Sequence, residues 1–373
     1  MSLESTVQST AKLFTPIQIG DIRLRHRVVL APLTRLRVDP STNVIFPIVK
    51  EYYAQRVSTP GTLIISEGTV VAKKAGAYTP PAHDTLGTSG SSVGSLHAAS
   101  PGIWSDEQIA AWREVTDVVH GRGSFIYCQL FAMGRAATTP ELADPSMDFD
   151  LVSASAIPLP GETITPREMT WNAPDSTVLR FIGNANGYLL DAFLQDTANQ
   201  RTDAYGGSPE NRSRLLLEIV SATAQAIGES KVGVRISPWS PFQGMLMTDP
   251  VPTFTYLVRA LREFPQLAYL HIIEPRIVAS GDWDVGVHND WHSNEFIREL
   301  WGNRTLISAG GYTRASALDR AERGEIIAFG RAFLANPDLP TRLEKDIPLA
   351  KGNRGTYYTP TAEGYTTYPF AKL

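Results

Sequence analysis

Cysteine is almost absent. Cys128 is the only one in 373 residues, so no disulfide can form within the chain, which fits a reducing compartment. Long apolar runs are missing too. None could span a bilayer, and the polar stretch Met1 to Lys12 lacks the apolar core of a secretion signal, so a cytoplasmic protein that does not enter a membrane is expected. Neither charge sign dominates: 34 Lys and Arg against 38 Asp and Glu leave a net charge of −4. That balance gives no reason to expect a nucleic acid partner. His288, Asp290 and His292 have residue types that could bind a metal, but an exposed loop is the plainer reading, and no metal is expected. No internal repeat is evident beyond the alternation described next.

What the chain does have is alternation of short β-rich apolar runs with helical patterns, the mark of βα units and a parallel sheet. Candidate strands are Arg27 to Pro32, Thr62 to Glu67, Ser124 to Leu130, Val178 to Ile182, Lys231 to Ser237, Leu267 to Ile273, Thr305 to Ala309 and Glu325 to Phe329. Helical patterns include Pro47 to Val57, Asp106 to His120, Arg212 to Ile227, Pro252 to Phe264, Asn294 to Trp301, Arg314 to Arg323 and Leu339 to Lys345. Eight strands can close a barrel, and α/β barrels reach about 250 residues or more as one domain. The expected fold class is α/β, a (β/α)8 TIM barrel spanning residues 13–373 as a single domain.

Two stretches break the pattern. Tyr78 to Ser100 is rich in Ser, Gly, Thr and Pro and poor in apolar surface to offset ordering, so a flexible loop inserted over 78–100 is expected; a retained intron would look the same. A parallel crossover needs roughly a dozen residues or more, yet nothing between Ala137 and Ser176 has convincing helical periodicity. The helix before strand four is therefore expected to be missing.

The densest motif is Asn184-Ala185-Asn186-Gly187-Tyr188-Leu189-Leu190-Asp191, followed by Tyr205-Gly206-Gly207-Ser208-Pro209-Glu210-Asn211-Arg212. With Pro101-Gly102-Ile103-Trp104 and Ala31-Pro32-Leu33-Thr34-Arg35, it resembles the Old Yellow Enzyme family of FMN-dependent ene reductases. The resemblance runs from about Leu13 to Phe370 and leans toward the fungal secondary-metabolism branch that includes the ergot-alkaloid reductases. It implies an FMN-binding barrel that uses NAD(P)H as co-substrate and reduces an activated C=C bond of a small molecule, an enone or enal.

Residue by residue, the resemblance makes Tyr188 the proton donor and Asn186 a substrate-binding donor, with Tyr358 and Phe131 bordering the substrate. Pro32 and Gly68 would lie against the flavin, the Thr34 hydroxyl would bond a flavin carbonyl, and Gln129 would bond the pyrimidine edge. Arg235 would face the charge of the reduced ring. Gly310, Gly311, Gly330 and Arg331 would hold the phosphate.

Each residue has a plainer reading. Tyr188 by type alone is a core tyrosine, Thr34 a turn or cap, Pro32 and Gly68 ordinary turn residues, and Gln129 a half-exposed strand end. Tyr358 and Phe131 are plain packing by type. Arg235 is more telling, because a charge in an apolar strand is costly unless paired, though a structural ion pair would also serve. Gly310-Gly311 followed one βα unit later by Gly330-Arg331 points to a phosphate. His271, inside strand six, reads as a satisfied core histidine.

The family holds its carbonyl with His and Asn. Here the His position falls on Gly183, and losing one such donor can cost about 10² to 10³ in rate. Activity is therefore in question. The alternatives are an inactive or flavin-poor relative with a damaged site, or a flavoprotein isomerase or cyclase.

Overall fold

A computed structural model describes residues 11–75, 100–137, 151–161, 165–170, 184–278, 281–282 and 292–372. Eight short strands form one sheet: β1 (Val28–Leu30), β2 (Leu63–Ile65), β3 (Phe125–Tyr127), β4 (Asn184–Ala185), β5 (Gly233–Ile236), β6 (Tyr269–Ile273), β7 (Leu306–Ala309) and β8 (Ile326–Phe329). Their order is β4-β5-β6-β7-β8-β1-β2-β3, and every neighbouring pair is parallel. That is the cyclic order of an eight-stranded α/β barrel, with β3 and β4 at its two ends among the described residues. β1, β2, β6, β7 and β8 are buried along their whole length, as expected for strands with side chains inside the barrel and helices outside.

The outer layer contains α1 (Ile48–Arg56), α2 (Asp106–Gly121), α3 (Leu189–Leu194), α4 (Pro209–Ile227), α5 (Val251–Leu261), α6 (Glu295–Trp301), α7 (Arg314–Glu322), α8 (Arg331–Ala335) and α9 (Leu339–Glu344). Local chemistry sets several of their ends. α2 begins in a capping box: Ser105 Oγ accepts from Gln108 N at 3.3 Å, and Gln108 Oε1 accepts from Ser105 N at 3.1 Å. α4 starts with Ser208 as cap and Pro209 in the first turn, and it stops at Gly228 with φ +94°. The short α3 and α8 have too few residues to show a helical period.

Four groups of side chains make the core, one of which packs Val70, Phe131, Met133 and Tyr188 together; the other three hold the sheet and its helices. Val29, Ile65, Tyr269, Ile307 and Ala328 belong to the one that includes Ile19 and Leu24 of the hairpin Ile17–Ile19 with Ile22–Leu24. A second joins α3, α4, α5 and α6 to β5 and β6, and a third joins α1, α2 and α7 to β1, β2 and β8. Inside the barrel, Tyr269 lies over Gly233, where an added Cβ would come within 2.2 Å of its ring.

The expected loop over 78–100 falls almost wholly outside the described residues. So do the candidate strand Val178 to Ile182, the site of the expected missing helix, and Gly183. The strand beside β5 is Asn184–Ala185, which pairs in register with Arg235 and Ile236. His288 and Asp290 also fall outside. His292 is not in an exposed loop: it is 8% exposed and stacks on Trp239 with ring centroids 4.7 Å apart. Among the described residues no group of three His, Cys, Asp or Glu could hold a metal, and no helix is long and apolar enough to cross a membrane.

Candidate active site

The C-terminal ends of the strands surround a cavity of about 560 Å³, within the usual range of about 300–1,000 Å³ for a small-molecule site. Every residue expected to meet cofactor or substrate lines it: Pro32, Thr34, Gly68, Gln129, Phe131, Asn186, Tyr188, Arg235, Gly310, Gly311, Gly330, Arg331 and Tyr358. These positions come from seven strand ends and the C-terminal segment, far apart in the chain. The fold brings all of them to one face.

Tyr188 sits just before α3 on a turn that only glycine can make. Gly187 has φ +84°, and an added Cβ there would come within 2.5 Å of the Phe242 ring. The turn is pinned from below, where the Gly187 amide donates to Asp191 Oδ2 at 2.7 Å. Asp191 also accepts from Gln195 Nε2 at 3.1 Å, and Gln195 Oε1 accepts from the Met247 amide at 3.1 Å. Burial pushes the Asp191 carboxyl up to about 6, against the pull of those two donors.

The Tyr188 ring is 9% exposed and meets Phe131 edge-on at 5.0 Å and Phe242 edge-on at 6.1 Å. Burial raises its phenol well above the ordinary tyrosine range, while the charge of Arg235 pulls it back. The hydroxyl therefore carries its proton at neutral pH. Arg235 in turn is pushed down to about 10 by burial, with Tyr188 and Tyr269 acting to raise it, and it keeps its charge.

On the opposite rim the backbone forms a cradle. Gly310 has φ +138°, and a Cβ there would lie 2.7 Å from Glu274 Cβ, so this turn excludes a side chain. At Gly68 a Cβ would lie 3.0 Å from the Phe131 ring, and at Gly330 it would lie 3.2 Å from Leu33. The Gln129 amide donates to Ser66 Oγ at 2.9 Å, and its carbonyl accepts from the Thr69 amide at 2.8 Å, which ties the end of β3 to the end of β2.

Several lining residues had no signal in the reading of the sequence. Arg276 lies just beyond β6 and donates to Gly311 O at 2.9 Å; its place past a strand's C-terminal end was the clue that could have found it. Tyr312 donates to Glu274 Oε1 at 2.6 Å, and Phe242 comes from an irregular turn after β5 whose direction no pattern predicts. His271 is 1% exposed, as expected of a core residue. It is not satisfied, however, because its Nε2 has no hydrogen-bond partner among the described residues. Burial keeps it neutral.

The lining carries three guanidinium groups, from Arg235, Arg276 and Arg331, and no carboxylate. Together with glycines that leave backbone exposed, that donor set fits a flat heteroaromatic ring bearing a phosphate.

Residues 12–83, 85–173 and 180–350 match the NADH:flavin oxidoreductase / NADH oxidase family. The chain is 41% identical over 382 residues to the chanoclavine-I aldehyde reductase fgaOx3 of Penicillium roqueforti, covering 96% of each chain. It is equally 41% identical, over 393 residues, to a probable inactive reductase, easA, of Epichloe festucae var. lolii, covering 98% of this chain and 96% of that one. Among solved structures, morphinone reductase superposes with a TM-score of 0.81 at 32% identity, over 98% of both chains. The chain belongs to the NADH:flavin oxidoreductase / NADH oxidase family and is a flavin oxidoreductase of the Old Yellow Enzyme type, built on a TIM barrel.

Proposed function

We propose that the protein binds FMN, takes reducing equivalents from NAD(P)H, and reduces the activated C=C bond of a small enone or enal in a fungal secondary-metabolite pathway. One observation carries this reading: a buried, protonated phenol, Tyr188, opens into the same cavity as the glycine cradle and the three arginines. Bound FMN would supply the hydride, renewed by NAD(P)H in a separate half-reaction.

The chain's own residues supply the rest. Asn186 holds the substrate carbonyl oxygen and draws electron density from the alkene. Tyr188 gives its proton to the carbon beside the one that gains hydride, and Phe131 and Phe242 fix the direction of its hydroxyl and keep water away. On the cofactor side, Thr34 and Gln129 would bond the ring edge and Arg235 would face its charge. Gly310, Gly311, Gly330 and Arg331 would take the phosphate and Pro32 and Gly68 would lie against the ring, while Tyr358 borders the substrate.

A second reading is that the protein has lost turnover. It is favoured by Gly183 standing where the family has its second carbonyl donor, and by the likeness to a relative named as probably inactive. The visible spectrum under anaerobic conditions separates the two. A yellow protein that bleaches with NADPH and regains colour with an enal supports reduction; a protein without flavin, or one that bleaches and stays bleached with every enone and enal tried, supports loss.

A further inference from the structure

Behind the cavity wall lie three almost fully buried arginines, Arg35, Arg37 and Arg56, with one buried carboxylate, Glu67, among them. Most of the arginine hydrogen bonds go to backbone carbonyls. Arg35 Nε donates to Tyr357 O at 3.1 Å and its Nη2 to Gly364 O at 3.0 Å. Arg37 Nη1 donates to Tyr357 O and Arg35 O, both at 2.6 Å, and Arg56 Nη2 donates to Tyr365 O at 3.2 Å. Arg35 and Arg37 also lie over the Tyr365 ring, at 4.7 and 4.3 Å from its centroid. This clamp fixes the segment that carries Tyr357 and Tyr358 to the barrel mouth.

Glu67 does something different. Its Oε2 accepts from the Arg35 amide at 3.1 Å, and the Leu36 amide is a second backbone donor to the carboxylate. Its own amide donates to Tyr53 Oη at 2.9 Å, and its carbonyl accepts from Ser66 Oγ at 2.9 Å and Thr69 Oγ1 at 3.0 Å. Oε1, in contrast, has no hydrogen-bond partner among the described residues. A buried carboxylate with one oxygen unused is costly, and an apolar residue would pack the same space.

What the carboxylate holds is an unfavourable turn. Leu36 has φ +59°, a left-handed conformation that L-residues rarely adopt. The residues on either side of this contact are wall residues of the cavity: Thr34 precedes Arg35, and Gly68 follows Glu67.

We propose that Glu67 is a positioning residue of the site: it pins the left-handed turn at Arg35 and Leu36 to the end of β2 and so fixes where the Thr34 hydroxyl meets the cofactor. The inference rests on the FMN reading above. Glu67 does not line the cavity and acts by placing Thr34.

The test is a double-mutant cycle on FMN-loaded protein: wild type, Thr34→Ala, Glu67→Gln and the double variant, read by the midpoint potential of the bound flavin and its dissociation constant. Glu67→Gln is expected to displace the potential in the same direction as Thr34→Ala, to weaken FMN binding about tenfold, and to add nothing further in the double variant. A potential unmoved by either substitution, or shifts that simply add, overturns the proposal.

If Glu67→Gln does not fold, Glu67→Asp keeps the charge in the buried cluster and, one methylene shorter, withdraws the carboxylate from the Arg35 amide. It must displace the potential in that same direction, and an unmoved potential overturns the proposal. Wild-type protein that takes up no FMN removes the underlying reading, and the proposal with it. An unmoved potential in protein that does hold FMN removes the proposal alone.

Discussion

Six strands, β5 through β8 and then β1 and β2, each bond a neighbour on both sides, whereas β3 and β4 bond one each among the described residues. The two regions carry different parts of the cavity. The doubly bonded arc positions Pro32, Thr34, Gly68, Arg235, Gly310, Gly311, Gly330 and Arg331, the residues proposed to hold the cofactor. The two end strands lead into Gln129 and Phe131 on one side and into Asn186 and Tyr188 on the other. The residues proposed to hold the cofactor thus lie mostly on strands with two described neighbours, and three of the four residues at the end strands are those proposed to face substrate. Relatives at the same 41% identity are named both an aldehyde reductase and a probable inactive reductase, so the shared frame does not by itself fix turnover.

The largest effect should come from breaking the arc. Arg298 in α6 bonds Glu325 Oε1 at 2.8 Å and Glu295 at 3.2 Å and forms a third pair with Glu274, next to the Gly310 turn, while its side chain is 10% exposed. Arg298→Ala leaves Glu274 without its cation and the buried Glu325 with Arg320 alone, at 3.6 Å, and is expected to cost about 3–5 kcal/mol in urea unfolding, with loss of cofactor. A cost near that of an exposed pair, about 0–1 kcal/mol, would mean that the arc does not depend on this network.

A smaller effect is expected at the end strands, and it depends on pH. The Asp191 carboxyl, raised by burial to about 6, favours the folded state only while protonated. Its contribution, up to about 3 kcal/mol, is present below pH 4 and lost as pH rises through 6. His26, lowered by burial to about 4, works in the opposite sense across the same window: it costs stability as pH falls from 6.5. The wild-type profile therefore mixes both groups. Asp191→Asn removes one of them, so the stability difference between variant and wild type should move in the variant's favour by about 3 kcal/mol between pH 4 and pH 7. A flat difference would show that Asp191 does not titrate within the folded protein.

How much of this was legible in the sequence also divides by region. β5 to β8, β1 and β2 could be read because buried parallel strands are short, nearly continuous apolar runs, and the glycine at Gly310 marks a turn no other residue makes as readily. The turn at Asn186, Gly187 and Tyr188 was legible as a compact motif, and Asp191 within it proves to be its anchor. The arginine clamp could not be read. Arg35 bonds a carbonyl 322 residues away, and an arginine in a loop carries no local sign that it will be buried. Phe242 and Tyr312 reach the cavity through irregular turns, whose side-chain directions follow from packing and not from a period.

The central claim is that the protein is an ene reductase whose proton donor is Tyr188, and Tyr188→Phe tests it most directly. Phenylalanine keeps the edge-on packing with Phe131 and Phe242 and removes only the hydroxyl. Rapid-mixing measurements of the two half-reactions should show flavin reduction by NADPH within about threefold of wild type and reoxidation by an enal slowed by about 10² to 10⁴. Equal losses in both half-reactions, or reoxidation at the wild-type rate, would contradict the account.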